Sequence, residues 1–483
     1  MSTSQVADTL SAVITRIVGT PLPVEPETQH ARLLDLGMDS LRLVRLVAQL
    51  EDVFDIKIAP ADLAPERFDT FGAVCGLVAD YLADPGRSES DVPAAPVRTG
   101  GVPEDTGDAE DPPGSAFPIE AILLMLTART QMTPAQVARA RAILTNPAYG
   151  LDRGRFVELA ARHRVINLVA RNLDRERLTP KDPVLHAQLR GSYLYNVNRN
   201  RALQAELRLL LAEFDRHGIN AVLRKGTYLT NRVYPDPGLR FSVDLDIYVP
   251  GAEMDRYCAL MTDLGYRQGS MSENRRIIQP MTRDEEVFSR LHESALPPFW
   301  RITSDPYVDI FGIDASHNMM PPPSGKSLPA EDILARAHRG EVAGEAVWIP
   351  SAEDMLLDLA VHLYREAIWF CSIESGKDIC LIRFVDIVEW CRAAGPALDT
   401  DRLAALAEQY DLVPETYYGL HHTDVLYPGV IDPGLLDRLR PDDLGYLDEF
   451  GRLDRQQRFW PTPFLERVFH PDRAAGLDLG VSA

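Results

Sequence analysis

The chain has 483 residues, long enough for roughly three compact units at about 150 residues each, and its 45% hydrophobic and 25% charged residues exclude wholesale disorder and fibrous architectures. A formal net charge of −21 repels nucleic-acid phosphates and excludes a general DNA or RNA binder. Nothing approaches the ~18 consecutive apolar residues of a membrane span, and MSTSQVADTL lacks the basic patch and apolar run of a signal peptide, so a cytoplasmic protein with no membrane contact is expected.

In chain order, apolar spacing predicts helices over 4–18, 40–54 and 69–82, with Ser40 and Asp69 as N-caps and a long loop from Gly19 to Met38. Residues 1–84 therefore read as a small helical bundle, acidic at 13 Asp+Glu against 6 Lys+Arg. From 85 to 117 the chain is dense in Pro, Gly, Ser and acids and nearly free of large apolar residues. It reads as a disordered linker. Helices are predicted between 119 and 216, one starting at Thr133-Pro134 and a long one over 185–214. The texture then changes: strands are predicted at 219–223, 243–249 and 307–313, and short helices at 228–233 and 253–264. Helices return at 351–369 and 378–394. Residues 118–483 thus read as a mixed α/β core, 217–350, inserted between helical layers at 118–216 and 351–483. The five cysteines contain no CxxC pair and read as reduced core thiols.

Two stretches carry chemistry. The first is LLDLGMDSLRLVRLVAQLEDVF, from Leu33 to Phe54. Ser40 opens a helix there, so its hydroxyl lies where free backbone N–H groups and the helix dipole favour a phosphate diester. With its Gly37-Met38-Asp39-Ser40-Leu41 core, the segment resembles acyl and peptidyl carrier proteins, and this implies a four-helix carrier bundle over 1–84. The resemblance further implies 4'-phosphopantetheine attached covalently to Ser40, and hence a phosphopantetheinyl transferase, coenzyme A and a carrier-loading enzyme as partners. Arg42 and Arg45 depart from the acidic face that many carriers show after the serine.

The second stretch is AVLRKGTYLTNRVYPDPGLRFSVDLDIYV, from Ala221 to Val249. Strand alternation places Asp244, Asp246 and Tyr248 on one face and Leu245, Ile247 and Val249 on the other. With Lys225-Gly226-Thr227 preceding Asp244-Leu245-Asp246, the segment resembles the polymerase-β-type nucleotidyltransferases, in particular poorly characterised families with a Lys-Gly before the paired acids. That resemblance implies an α+β polymerase-β-like core, an NTP substrate and Mg²⁺ ions held by Asp244, Asp246 and a third carboxylate from a later strand, in a two-metal transfer of a nucleoside monophosphate. The segment YVDIFGID offers Asp309 for the third position, with Asp314 as the alternative. Lys225, Gly226, Thr227 and Arg240 are the residues expected around the triphosphate.

The fusion suggests natural-product (secondary metabolite) biosynthesis, in which a small molecule, carried as a thioester on Ser40 or free, accepts the nucleotide. A linker of ~33 flexible residues spans ~30 Å and holds the arm at roughly millimolar effective concentration. The alternative is a catalytically silent scaffold that docks the modified carrier to other enzymes. Among lesser candidates, His362 reads as a satisfied helix histidine, His317 and Asn318 as turn residues, and Lys377 and Asp386 as either site or pairing residues.

Overall fold

The computed structural model describes residues 3–18, 22, 24, 26–33, 36, 46, 49–51, 53–56, 58, 67, 68, 70–83, 117–179, 182–272, 277–281, 295–321, 324–453, 456–470, 472–474 and 477. Ser40, Asp69, expected as a cap, and all of the expected linker 85–117 but Phe117 lie outside these residues. The chain divides into two compact units: 1–108 with 179–199 and 305–307, and 109–178 with 200–304 and 308–483.

The first unit is helical, with α1 at Thr3–Val18 and α2 at Phe71–Ala83. Leu10, Leu46, Leu50, Phe71, Val74 and Leu77 are fully buried in one core. Their removal from water is what holds so small a unit together. Glu51 is buried within it and accepts the Ile58 N–H at 3.0 Å, so this buried acid is hydrogen-bonded.

The second unit opens with helices α3 (Ile119–Thr127), α4 (Pro134–Thr145), α5 (Arg153–Arg162) and α6 (Ile166–Arg175). Helix α4 begins where the Thr-Pro signal placed it. Thr133 accepts from the Gln136 N–H and the Gln136 side chain from the Thr133 N–H, a reciprocal cap with proline just inside. The expected long helix is α7, Pro183–Arg216, of which residues 183–199 belong to the first unit and 200–216 to the second.

The sheet follows, with strands β1 (Val222–Leu223), β2 (Leu245–Tyr248), β3 (Arg267–Met271), β4 (Ile278–Pro280), β5 (Phe299–Ile302), β6 (Ile310–Ser316), β7 (His338–Val342) and β8 (Glu345–Ile349). Among the described residues these form one eight-stranded sheet in the order β4-β3-β5-β6-β2-β1-β8-β7. Helix α8 (Lys225–Arg232) joins β1 to β2, α9 (Met254–Asp263) follows β2, and α10 (Ala330–Arg336) precedes β7. Pairings β2/β6 and β1/β8 are parallel and the remainder antiparallel.

Beyond the sheet lie α11 (Ala352–Ile368), α12 (Phe370–Glu374), α13 (Leu381–Ala394), α14 (Thr400–Gln409), α15 (Val413–Leu426), α16 (Pro433–Leu439), a small β9/β10 ribbon (Glu449–Phe450, Arg458–Phe459) and α17 (Phe464–Arg467). Helix α11 packs against α13, α14 and α15. Its approach to α15 is close because Gly419 has no Cβ: one built there would sit 2.7 Å from Ala360 Cα.

Helix α13 is tied to α5 through His163, 1% exposed, whose Nδ1 accepts the Leu381 N–H at 3.1 Å. Burial, with the charges of Arg473 and Arg162, pushes this imidazole down from 6.5 to about 3. Between those values the unfolded chain binds a proton that the folded chain refuses, so this contribution to stability is intact above pH 6.5 and declines on acidification. The thermal midpoint is therefore expected to fall between pH 7.5 and 5. His163→Asn, which keeps an acceptor for Leu381, is expected to flatten that decline; equal slopes for the two proteins would assign the acid sensitivity elsewhere.

Candidate functional site

The site is built on one face of the β2/β6 pair. Parallel register places Asp246 beside Asp314 and Tyr248 beside Ser316. Paired residues of adjacent strands share a face, so both rows look the same way. Asp244 lies in the bend just before β2, half-buried like Asp246 and Asp314. Asp309, by contrast, is exposed and precedes β6, because the strand begins at Ile310 and not at Tyr307. The Asp305 side chain accepts the Tyr307 N–H at 2.8 Å and turns the chain there, which delays entry into the sheet. Of the two acids in YVDIFGID, the fold brings Asp314 to the Asp-x-Asp pair and leaves Asp309 outside it.

The three carboxylates shape one another's charge. Burial, reinforced by Asp246 and Asp314, pushes Asp244 up to about 7. Burial and Asp246 likewise raise Asp314. Burial also acts on Asp246, but Lys225 and Arg224 outweigh it and hold this group below the usual carboxylate range. Asp314 Oδ1 is buried without a hydrogen-bond partner. Such an orphaned acceptor marks a place for a cation or water.

Helix α8 supplies the cationic flank. Lys225 adopts φ = 33°, an uncommon value for a side-chain-bearing residue, and its Nζ lies 3.6 Å from Asp246 Oδ1. Thr227 is buried and its Oγ1 accepts the Asp246 N–H at 2.6 Å, which fixes β2 against α8. Gly226 leaves room for Arg240: a Cβ there would meet Arg240 Nη1 at 2.4 Å. That guanidinium is not a loose end that could swing aside. Its Nε and Nη2 each donate to Asp386 at 2.8 Å, and Tyr234 Oη donates to the same carboxylate at 2.7 Å. Arg240, expected beside the triphosphate, is thus engaged with a buried acid on α13. Its backbone carbonyl is held in turn by Asn200 Nδ2 at 2.7 Å.

Helix α11 roofs the same sheet face. Asp358 takes a two-pronged pair from Arg224 Nε and Nη2 at 2.9 and 2.7 Å; Arg224 Nη1 donates to Ser316 Oγ at 2.5 Å, and its guanidinium lies 3.9 Å over the Tyr248 ring. Burial raises Asp358, yet Arg224 dominates and holds it at about 2. His362 Nε2 lies 3.4 Å from Glu366 Oε1, and Arg383 Nε and Nη2 donate to Glu366 at 2.7 and 2.8 Å. Burial and Lys225 push His362 down to about 4, so it is neutral near pH 7.

Sequence reasoning weighed His362 and Asp386 but missed Arg224, Asp358, Arg365, Glu366 and Arg383. The available signal was the spacing 358, 362, 365, 366 of polar residues in a helix that is largely apolar beyond its first turn. Lys377 is exposed, and Asn318 Oδ1 accepts the Met320 and Leu328 N–H groups as a turn residue does.

Acids thus stand on adjacent parallel strands, with Lys225 at the start of the helix that joins β1 to β2. Comparison with known proteins gives the family. Residues 150–428, over half the chain, match the family of uncharacterised nucleotidyltransferases, and the chain belongs to that family. Residues 9–78 match the phosphopantetheine attachment site family. An acyl carrier protein of Saccharopolyspora erythraea is 36% identical over 84 residues, which are 17% of this chain and 84% of that protein. The N-terminal region is therefore a carrier region fused to a nucleotidyltransferase-family domain. No solved structure matches. Among the described residues no helix is long and apolar enough to cross a membrane.

Proposed function

We propose that the protein transfers a nucleoside monophosphate from an NTP to a small molecule in natural-product biosynthesis, the acceptor being tethered as a pantetheine thioester on Ser40. The observation that carries this reading is the in-register pair Asp246 and Asp314 on parallel strands, with Asp244 entering β2 and Lys225 opposite. Among the described residues, no three His, Cys, Asp or Glu side chains already stand close enough to enclose a metal ion. The donor set nonetheless fits Mg²⁺: its members are all carboxylates, the charge of Asp246 raises the proton affinity of Asp244 and Asp314, and Asp314 Oδ1 awaits a partner. Bound there by Asp244, Asp246 and Asp314, Mg²⁺ would neutralise charge on the phosphates and on the attacking oxygen.

The chain's own groups do the rest. Lys225 opposes phosphate charge beside Asp246, Thr227 fixes the height of β2, and Arg240 under Gly226 keeps the start of α8 in place. Attachment at Ser40 rests on the Gly37–Leu41 motif and on the carrier match, since that stretch lies outside the described residues.

Intact mass tests both halves. Co-expression with a broad phosphopantetheinyl transferase is expected to add about 340 Da, lost in Ser40→Ala. Incubation of the loaded protein with Mg²⁺ and each NTP is then expected to consume one of them, and not in Asp246→Asn. Arm attachment without consumption of any NTP, with loaded as well as empty carrier, would leave a docking scaffold in place of an enzyme.

A further inference from the structure

Four arginines, Arg224, Arg240, Arg365 and Arg383, belong to the strand face and the helices over it, and three are closed in the same way. Arg224, Arg240 and Arg383 each present the Nε–Nη2 edge to both oxygens of one acid: Asp358, Asp386 and Glu366. This side-on pairing is the strongest that a guanidinium makes with a two-oxygen anion. Arg365 is the exception. Its Nη1 donates to the Met319 carbonyl at 2.9 Å, which holds the group in place, while its Nε is buried with no acceptor. No carboxylate pairs with it among the described residues.

A buried N–H left without an acceptor is costly, and the half-buried Arg365 carries one at its Nε. Placement says what an acceptor there faces. Arg365 lies two helical turns along α11 from Asp358, on the same face, and the charges of Arg224, Asp358 and Asp314 all act on it. Met319 stands three residues beyond the end of β6, the strand that carries Asp314, so the Met319 bond holds the guanidinium on the β6 side, while Lys225 stands beside Asp246.

We infer that the open Nε–Nη2 edge of Arg365 binds a phosphate group of the nucleotide, taking the place that a carboxylate fills for the other three arginines. The inference rests on the nucleotide reading proposed above and adds to it a specific phosphate contact from the helical roof.

The test uses the full-length protein and two probes, Mg²⁺ with each of the four NTPs by calorimetry, and inorganic pyrophosphate by thermal shift. Arg365→Met is expected to weaken binding of the preferred NTP at least tenfold and to remove pyrophosphate stabilisation. Its ligand-free midpoint should stay level or rise, because an unpaired charge has been removed. Arg365→Lys should bind weakly, since it keeps the charge and loses the edge. Unchanged binding in Arg365→Met, or a ligand-free midpoint lowered by several degrees as for a structural arginine, overturns the inference and leaves the nucleotide reading untouched. Pyrophosphate stabilisation that depends on Arg365, without binding of any NTP, sinks the nucleotide reading and keeps a phosphate site. Failure of the native protein to bind either probe sinks both.

Discussion

Asp314→Asn is expected to lower NTP-dependent transfer by roughly 10³-fold, the rate equivalent of the several kcal/mol that a divalent ion contributes to such chemistry. Asp309→Asn should stay within about twofold of the native rate, since Asp309 is exposed and lies outside the strand that carries Asp314. The pair of variants discriminates cleanly because both acids occupy one short segment and both substitutions are nearly isosteric. Measured side by side under Mg²⁺, equal losses would show that the β6 register is misjudged. Loss at 309 alone would move the site to the other end of the strand.

The second large effect concerns stability. Asp358→Ala is expected to destabilise the second unit by about 3–5 kcal/mol, because it leaves a guanidinium that is 2% exposed without its paired carboxylate. Arg224→Met combined with Asp358→Leu should recover most of that loss, since two apolar side chains replace two desolvated ions. All five tryptophans, Trp300, Trp348, Trp369, Trp390 and Trp460, belong to this unit, so urea unfolding followed by their fluorescence reads it without a signal from the carrier. If the double variant proved no more stable than Asp358→Ala, the pair would be holding the roof by hydrogen-bond geometry through Ser316 as much as by charge.

What could be read from the chain was local. The alternation in Asp244–Val249 gives the face that carries the acids, and the Thr-Pro signal gives the start of α4 to the residue. Strands β3, β4, β5, β7 and β8 went unread because segments such as RQGSM and HRGEV carry charge and glycine without period-two alternation. Strand β6 was read three residues early. An apolar run in YVDIFGID says that a strand is present, while its start depends on the turn made by Asp305 just upstream. Arg240 was read as a phosphate ligand from its neighbours, yet its partner Asp386 stands 146 positions away. No periodicity links two residues so far apart; only the packed α13 does.

The roof of α11 and α13 also decides how small a working transferase could be made. A fragment ending after β8 would hold every acid of the strand face, Asp244, Asp246 and Asp314, together with Lys225 and Thr227. It would lack Asp358 and Asp386, leaving two buried arginines without their carboxylates and loosening the chain segments that they brace. The sheet is therefore not a portable cassette. Any excision that preserves the pattern of acids must carry the chain through at least the end of α13, and a search for shorter homologous pieces would be expected to return sequences that keep the motif without the capacity to fold around it.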